Sequence, residues 1–331
     1  MGLYSHFNID EREKMLKYRM QGKGIREIGR LLVRSPSSIS RELKRNSLSD
    51  GDYSAIKAQS QYENRRQKSR RKKIFDNIDL KNKVKELFME ESWSPEQISN
   101  RLSYEKSNYQ ISYPTIYRAI KAGEFDVYLP GDKKASRKLR HRGKTRNTKG
   151  RIETRGKIKV THTIHERPCE ADGRKMIGHW EADTMIGKRD SACLVTLVDR
   201  SSRYLLSDRI QAKKSALVKE KIIELFLTIP KDKRRSVTPD RGKEFSKHSE
   251  ISQQLDGLRF YFSDPHSPWQ RGTNENTNGL LREYFPKGVD ISAYSDETVT
   301  SFIDKINKRP RKCLDWKTPF EVFFNQVLHL T

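Results

Sequence analysis

The sequence has 331 residues and a formal net charge of +25, from 68 Lys and Arg against 43 Asp and Glu. Such a charge indicates a polyanionic partner. Hydrophobic residues make up 34% of the chain, which is enough for cores of about two domains and excludes a wholly disordered protein. The apolar runs are far shorter than the roughly 18 residues of a membrane helix, and no secretory segment is recognisable, so we expect a cytoplasmic protein without a membrane partner.

Three helices are predicted at the N-terminus. Asn8 is a candidate N-cap for a helix at 9–16, whose first turn is acidic, as the helix dipole favours. Residues 24–32 carry apolar side chains at helical spacing, and Pro36 is suited to the first position of a third helix at 37–45. This order is typical of a helix-turn-helix unit.

The third helix is the candidate DNA-reading element. Its apolar residues Ile39 and Leu43 are spaced to face a core, which leaves small hydroxyls and long cations outward, as in a helix that enters the major groove. The alternative is a plain three-helix bundle with a basic surface. The expected DNA-contacting residues of this helix are Ser37, Ser38, Ser40, Arg41, Lys44 and Arg45.

A second three-helix pattern follows. Val84, Leu87 and Phe88 form the apolar face of one helix, and Ser94 and Ser112 are candidate N-caps of two more. The repetition favours a second helix-turn-helix unit and a bipartite DNA reader. A protein contact or a packing module would explain the second copy equally well.

Two basic segments separate these units from each other and from the remainder. One includes the cations of 65–73, and the other, 131–160, holds 13 Lys and Arg against Asp132 and Glu153, with almost no side chains for a core. We therefore divide the chain as follows: a first helix-turn-helix domain at 1–60, a basic connector at 61–80, a second helix-turn-helix domain at 81–128, a basic linker at 129–165 and a mixed α/β domain at 166–331.

The C-terminal half changes from helical to strand periodicity near Ile177. Consecutive strands are predicted at 179–187, 192–198 and 204–207, followed by a helix at 216–226 and a short strand at 237–240. Strands, a crossover helix and a further strand define a mixed α/β domain.

Three carboxylates of this domain are candidate metal ligands. Asp183 lies in the first predicted strand, Asp240 ends the fourth, and Glu275 falls in the first turn of a predicted helix, with Arg282 two turns further along the same face. Converging carboxylates form a hard-oxygen site for Mg²⁺ or Mn²⁺. Two such ions could support in-line phosphoryl transfer on a DNA backbone that the basic surroundings hold.

Three stretches of the chain resemble bacterial insertion-sequence transposases of the DDE class, most closely the IS-thirty family. They are residues 35–46, 178–183 and 264–288, and the third is long and specific. Members of this family join an N-terminal helix-turn-helix region to a ribonuclease H-like catalytic domain of the retroviral-integrase type. The resemblance therefore implies an all-α N-terminal region followed by an α/β catalytic core.

The resemblance also implies site residues and partners. The catalytic and metal-binding triad falls on Asp183, Asp240 and Glu275, and the DNA-contacting basic residue that follows falls on Arg282. Two Mg²⁺ or Mn²⁺ ions and no organic cofactor are expected. Arg241 stands where the family usually has Asn, and the spacing from Asp240 to Glu275 is one residue longer than usual.

The implied reaction cuts and joins DNA strands. The substrates would be double-stranded DNA, namely the element's terminal inverted repeats and the target, in a bacterial cytoplasm with association to the nucleoid. Because two ends must be held together, a homodimer or larger assembly on DNA is expected. The expected chemistry is hydrolysis at the element's 3′ end followed by strand transfer, without a covalent protein–DNA intermediate.

Two other functions are open. A sequence-specific regulator with a degenerate catalytic half is disfavoured because all three carboxylates are present. A stand-alone nuclease of the same fold is disfavoured because tandem helix-turn-helix units suit end recognition. A strand-transfer assay would separate the nuclease from a transposase.

Other residues of the catalytic half have competing roles. Glu181 shares a strand face with Asp183 and is a candidate ligand or supporting residue. Trp269 is a loop anchor or a base-stacking side chain, and the segments at 299–308 and 319–324 are expected to pack on the catalytic core or to form a subunit contact. Turn, surface or capping roles suit Asp199, Glu244, Asp264 and Glu283, and structural or DNA-contacting roles suit His179, His248 and His266.

Overall fold

The computed structural model describes residues 5–47, 52–69, 74–126, 135, 139, 160–188, 191–265 and 267–330. The chain forms two compact units, Met1–Asp76 and Asn77–Thr331. The predicted basic linker at 129–165 lies largely outside the described residues, as do positions 70–73 of the first basic segment. No helix in the part of the chain that the structure describes has the length and apolarity that a bilayer crossing requires.

The first unit contains four helices: α1 (Ile9–Met20), α2 (Ile25–Leu32), α3 (Pro36–Asn46) and α4 (Ala55–Ser69). The three predicted helices are present. Asn8 caps α1 in a capping box, accepting from the amide of Glu11 at 2.8 Å while the Glu11 carboxylate accepts from the amide of Asn8 at 3.0 Å. Pro36 occupies the first turn of α3, as expected.

Helix α4 was not predicted. Its buried residues are two small alanines, Ala55 and Ala58, so its apolar stripe is too narrow to show as helical periodicity. The helix completes the core of the first unit by packing beside Met15, Ile28 and Ile39.

A buried ion pair ties α1 to α3. The Arg12 Nε atom lies 2.7 Å from the Glu42 Oε1 atom, and both side chains are buried. Arg12 also donates to the side chain of Gln59 in α4. One cation therefore connects three helices and fixes the orientation of α3, whose other face is exposed.

The turn between α2 and α3 holds a strained residue. Val33 has φ 53° and ψ 42° and is 91% exposed. Left-handed backbone costs an L-residue about 1–2 kcal/mol and is especially unfavourable for a β-branched side chain, whereas Asn tolerates it. Val33→Asn is expected to stabilise the first unit by up to about 1 kcal/mol.

Hydrogen exchange in the full-length protein measures this effect. The α2 and α3 amides should exchange up to about fivefold more slowly in Val33→Asn, since 1 kcal/mol corresponds to roughly that ratio. Val33→Thr is the matched control, because it removes the exposed apolar surface but keeps the β-branch. Equal slowing in both variants would show that exposure, not backbone strain, is responsible.

The second unit begins with three helices, α5 (Ile78–Met89), α6 (Pro95–Tyr104) and α7 (Tyr113–Lys121). Val84, Leu87 and Phe88 are buried, as predicted. Ser94 caps α6 in a capping box with Gln97. Ser112 stands at the N-cap position of α7, but its hydroxyl lies 2.9 Å from that of Thr115 and caps no backbone amide. These three helices lie where the second helix-turn-helix unit was predicted, and under that predicted role we call α5, α6 and α7 the second helix-turn-helix module.

The C-terminal half is built on a five-stranded mixed sheet. Its strands are β1 (His179–Ile186), β2 (Cys193–Asp199), β3 (Leu205–Ile210), β4 (Ser236–Thr238) and β5 (Arg259–Phe260). The spatial order is β3-β2-β1-β4-β5, with β1, β2 and β3 antiparallel and β4 and β5 parallel to β1. This mixed α/β topology is that of the predicted ribonuclease H-like fold. The two-residue β5 was too short to be recognised in the sequence.

Helices cover both faces of the sheet. They are α8 (Cys169–Asp172), α9 (Ser215–Leu227), α10 (His248–Gln254), α11 (Gly272–Tyr284), α12 (Asp296–Asn307) and α13 (Pro319–Phe324). Alternate residues of β2 belong to two hydrophobic clusters: Val195 packs with Phe226 of α9, and Leu194 packs with Leu281 of α11 and Ile303 of α12. Every residue of β2 is therefore buried.

The C-terminal helices pack on the core of their own chain. Phe323 of α13 stacks on Tyr204 with ring centroids 4.4 Å apart and meets the edge of Trp180 at 5.7 Å. The sequence left open whether these segments pack on the core or form a subunit contact. The structure shows them packed on the core of the same chain.

The same C-terminal region holds the second helix-turn-helix module. Arg101 of α6 is fully buried and donates to both oxygens of Glu321, at 2.7 and 2.8 Å, and to Glu105 at 2.6 Å. The Gln97 side chain donates to the carbonyl of Pro310 at 2.7 Å. The module and the sheet domain thus form parts of one compact unit.

Candidate active site

Two aspartates meet at one edge of the sheet. Because β1 and β4 are parallel neighbours whose last paired residues are Glu181 and Thr238, Asp183 and Asp240 each follow that pair by two residues and lie side by side. The Asp183 Oδ1 atom accepts from the amide of Thr184 at 2.8 Å. The Asp240 Oδ1 atom accepts from the amide of Gly242 at 2.9 Å. Each carboxylate is thus oriented by a local backbone donor.

Two further side chains contact this aspartate pair. Asn278 of α11 donates to the Asp183 Oδ2 atom at 3.0 Å. The guanidinium of Arg271 lies between the aspartates, with Nη1 3.8 Å from the Asp183 Oδ2 atom and Nη2 3.6 Å from the Asp240 Oδ2 atom. One positive group therefore serves two carboxylates.

The electrostatics at Asp183 favour a cation. Burial raises the pKa of Asp183 above its ordinary value, Arg271 opposes that rise, and the neighbouring charge of Asp240 adds to it. A carboxylate in this position stays ionised more readily when a positive charge lies beside it.

Glu275 stands on the helix that follows Arg271. It lies in the first turn of α11, as predicted, and its side chain is exposed. Among the described residues, no three His, Cys, Asp or Glu side chains lie close enough together to hold a metal ion. The structure therefore brings together two of the three predicted ligands and places the third at the start of the adjoining helix.

The two basic residues singled out near the triad bind backbone carbonyls. Arg282 donates from Nη2 to the carbonyl of Ile186 at the end of β1, at 2.8 Å. Arg241 donates from Nε to the carbonyl of Ser263 at 2.9 Å and lies 3.6 Å from Asp264. The Arg241 guanidinium thus contacts Ser263 and Asp264, and the hydrogen bond from the Gly242 amide to Asp240 is present beside it.

Glu181 has the contacts of a supporting residue. Its carboxylate is fully buried, with Oε1 2.6 Å from Arg200 Nη1 and Oε2 accepting from the amide of Asn274 at 2.8 Å. Both oxygens are engaged, so Glu181 fastens the first turn of α11 to β1. It thereby positions the helix that carries Glu275.

The remaining acidic candidates also have protein partners. Asp199 is buried at the end of β2 and accepts from the amides of Gly178 and Ser202. The partners of Glu244, Asp264 and Glu283 are Lys213 at 2.5 Å, Gln270 at 2.9 Å and Arg309 at 2.6 Å, respectively.

The histidines of the site region make structural contacts. The His179 Nδ1 atom lies 2.8 Å from the Ser236 hydroxyl, and the His248 Nδ1 atom 3.1 Å from the carbonyl of Phe245; both side chains are buried. His266 lies outside the described residues. Trp269, by contrast, is 71% exposed.

The candidate DNA-reading face of α3 is exposed. Ser37, Ser40, Arg41, Lys44 and Arg45 are all exposed, and Ser38 is half-buried. The buried side of α3 contains Ile39 and Leu43, as predicted, together with Glu42 and Asn46.

Sequence reasoning missed Arg271 and Asn278. Both lie within the specific stretch at 264–288, four residues before and three residues after Glu275. The three-residue spacing on a helix was a signal that could have placed Asn278 beside Glu275. No local pattern showed that the Arg271 side chain reaches two different strands.

The protein belongs to a class of nucleic-acid-processing enzymes, with a helix-turn-helix unit at the N-terminus and a ribonuclease H-like core in which two aspartates lie close together. Residues 4–46 match the family model described as a helix-turn-helix domain. Transposase InsI for insertion sequence element IS30A of Escherichia coli is 39% identical over 327 residues, covering 96% of this chain and 83% of that protein. The transposase for element IS1086 of Cupriavidus metallidurans is 36% identical over 326 residues, covering 96% and 94%.

The chain belongs to the IS-thirty (IS30) family of insertion-sequence transposases, which confirms the resemblance seen in the sequence. A solved structure, the catalytic core domain of BIV integrase, is similar with a TM-score of 0.36 and 16% identity, covering 45% of this chain and 95% of that one. As a relative of these transposases over nearly its whole length, the chain is a transposase, a DNA strand-cutting and strand-joining enzyme, and a degenerate regulator is not favoured.

Proposed function

We propose that the protein binds the terminal inverted repeats of its own insertion sequence and cleaves and transfers DNA strands with Asp183, Asp240 and Glu275. The observation that carries this proposal is the pair of aspartates, held at the edge of the sheet around a single guanidinium. Such a pair is a suitable place for a divalent cation beside a phosphate.

The donor set fits a hard divalent metal. Membership of this transposase family implies metal dependence in general, and the proposal is more specific: two Mg²⁺ or Mn²⁺ ions, held by the three carboxylates. Carboxylate oxygens are the ligands that these ions prefer. When bound, the ions would activate a water or a 3′-hydroxyl and stabilise the leaving oxygen.

The chain's own residues would prepare the site. Thr184 and Asn278 orient the carboxylate of Asp183, and Gly242 orients that of Asp240. Glu181 holds the start of α11, and with it the backbone that carries Glu275. Preorganised carboxylates lose little freedom when the substrate binds, which favours the reaction.

Recognition of DNA would use the exposed cations and one aromatic ring. The proposed contacts in the first unit are Ser37, Ser38, Ser40, Arg41, Lys44 and Arg45, with Arg282 beside the catalytic edge. The exposed ring of Trp269, two residues from Arg271, would stack on a base next to the cleaved phosphate. A homodimer or larger assembly on double-stranded DNA would hold two element ends for joining.

The proposal is tested with purified full-length protein and labelled DNA that carries the element's ends. Nicked and joined strands are scored on a denaturing gel in Mg²⁺, Mn²⁺ or EDTA. We expect nicked and joined products in either metal and none in EDTA. Tight end binding without cleavage in any metal would contradict the proposed chemistry, and cleavage without joined products would favour a stand-alone nuclease.

A further inference from the structure

We propose that Arg271 is a displaceable counter-ion of the active site. Its guanidinium takes the cation position between Asp183 and Asp240 in the DNA-free protein, and a divalent metal must displace it to bind. This inference rests on the metal site proposed above. Its consequence is that Arg271 weakens metal binding by the free transposase.

The contacts of Arg271 are electrostatic rather than close hydrogen bonds. Its nitrogens lie 3.8 Å from Asp183 and 3.6 Å from Asp240, beyond ordinary hydrogen-bond distance. Its one hydrogen bond recorded among the described residues is a long one, from Nη1 to the carbonyl of Ala182 at 3.3 Å. The side chain is 16% exposed, and its buried Nε atom has no hydrogen-bond partner among the described residues.

A second arginine of the same domain shows what a fixed guanidinium looks like. Arg200 lies 2.6 Å from the carboxylate of Glu181 and donates from Nε to the carbonyl of Ala171 at 2.9 Å. Arg200 therefore has short contacts at both ends of its guanidinium. Arg271 lacks such contacts and can leave its position at a lower cost.

Charge explains why Arg271 remains near the aspartates without short bonds. Two partly buried carboxylates close to each other repel, and a positive group between them relieves that repulsion. The guanidinium and a metal ion would satisfy the same two oxygens, Oδ2 of Asp183 and Oδ2 of Asp240. Only one of them can occupy that space, so they compete.

The test is titration calorimetry of Mn²⁺ into the DNA-free, full-length protein. Arg271→Gln is expected to bind Mn²⁺ at least about tenfold more tightly than wild type, because the competing cation is gone. Arg241→Gln is the matched control: it makes the same change of charge next to Asp240, but Arg241 contacts Ser263 and Asp264. Its Mn²⁺ affinity should change by less than about threefold.

Thermal unfolding provides a second readout. In EDTA, Arg271→Gln should unfold at a lower temperature than wild type, and Mn²⁺ should raise that temperature more in the variant than in wild type. If Arg271→Gln does not fold, Arg271→Lys serves instead. A single ammonium cannot span both carboxylates, so this variant should show a smaller gain in Mn²⁺ affinity.

The outcomes separate this inference from the proposed function. Wild-type Mn²⁺ affinity in Arg271→Gln, or an equal gain in Arg241→Gln, would overturn the counter-ion role and leave the metal site standing. Absence of Mn²⁺ binding in both wild type and Arg271→Gln, or binding unaffected by Asp183→Asn, would overturn the metal site and this inference together.

Discussion

Replacing Asp183 with Asn is expected to slow strand cleavage at the element's ends at least about 100-fold, with end binding near the wild-type level. Loss of a residue that only supports a metal ligand typically costs 10–100-fold, and Asp183 is proposed as a ligand itself. Asn has nearly the same shape, so the hydrogen bond from the Thr184 amide can be kept. The rate is measured with labelled end DNA in Mg²⁺, and binding by gel shift.

The same loss is expected for Asp240→Asn and Glu275→Gln. Asp208→Asn is the matched control, because it makes the same chemical change in β3, where Asp208 pairs with Lys221 at 2.6 Å. Wild-type cleavage by Asp183→Asn or Glu275→Gln would show that the catalytic residues are assigned wrongly. A comparable loss in Asp208→Asn would show that the assay reports folding rather than chemistry.

Replacing Arg101 with Met is expected to lower the free energy of unfolding of the second unit by about 3–5 kcal/mol. Arg101 is fully buried and donates to Glu321, Glu105 and the carbonyls of Trp316 and Leu328. Without the guanidinium, buried carboxylates and carbonyls lose their donors, and that desolvation is not compensated. Denaturant unfolding of the full-length chain measures the change.

An exposed pair in the same contact region provides the control. Lys312 lies 2.9 Å from Glu96, but these side chains are 75% and 43% exposed. Lys312→Met should therefore change the stability by less than about 1 kcal/mol. If the free energy of unfolding falls no more in Arg101→Met than in Lys312→Met, the Arg101 cluster does not hold the second helix-turn-helix module on the catalytic domain.

The Arg101 cluster also gives the stability a pH dependence. Burial by itself would raise the pKa of Glu321, but hydrogen bonds from Arg101 and from the amides of Leu328 and Thr318 lower it to about 2. A lowered folded-state pKa means that this stabilisation is fully present above the ordinary value of 4.5 and is lost as the pH falls towards 2. The free energy of unfolding should therefore fall less between pH 4.5 and pH 2 in Arg101→Met than in wild type.

Much of the fold could be predicted because its signals are local. The Asn8 capping box, Pro36 at the start of α3 and the apolar run of β2 all act over a few residues. The specific stretch at 264–288 likewise pointed to Glu275 and Arg282 as candidate site residues without reference to the rest of the chain, and their roles stay predictions. Helix α4 and the strand β5 escaped because one buries only two alanines and the other has two residues.

The roles of the second helix-turn-helix module were left open by the sequence and are narrowed by the structure. Its helix α6 packs on the C-terminal segment through Arg101 and Gln97. The outward residues of α7, including Tyr113 and Arg118, are exposed. The α6 side therefore serves as a packing surface, whereas one face of α7 is exposed in the part of the chain that the structure describes.

By itself, the sequence determined the family and most of the helices and strands, and it pointed to three acidic residues whose catalytic role stays a prediction. Only the tertiary structure decided that Arg271 lies between Asp183 and Asp240, that Glu181 is engaged by Arg200, and that Arg101 reaches Glu321, 220 residues further along the chain. The physical reason is the separation along the chain over which each interaction acts. Capping and periodicity depend on neighbouring residues, whereas the partner of a buried charge depends on which distant segments the sheet and its helices bring together.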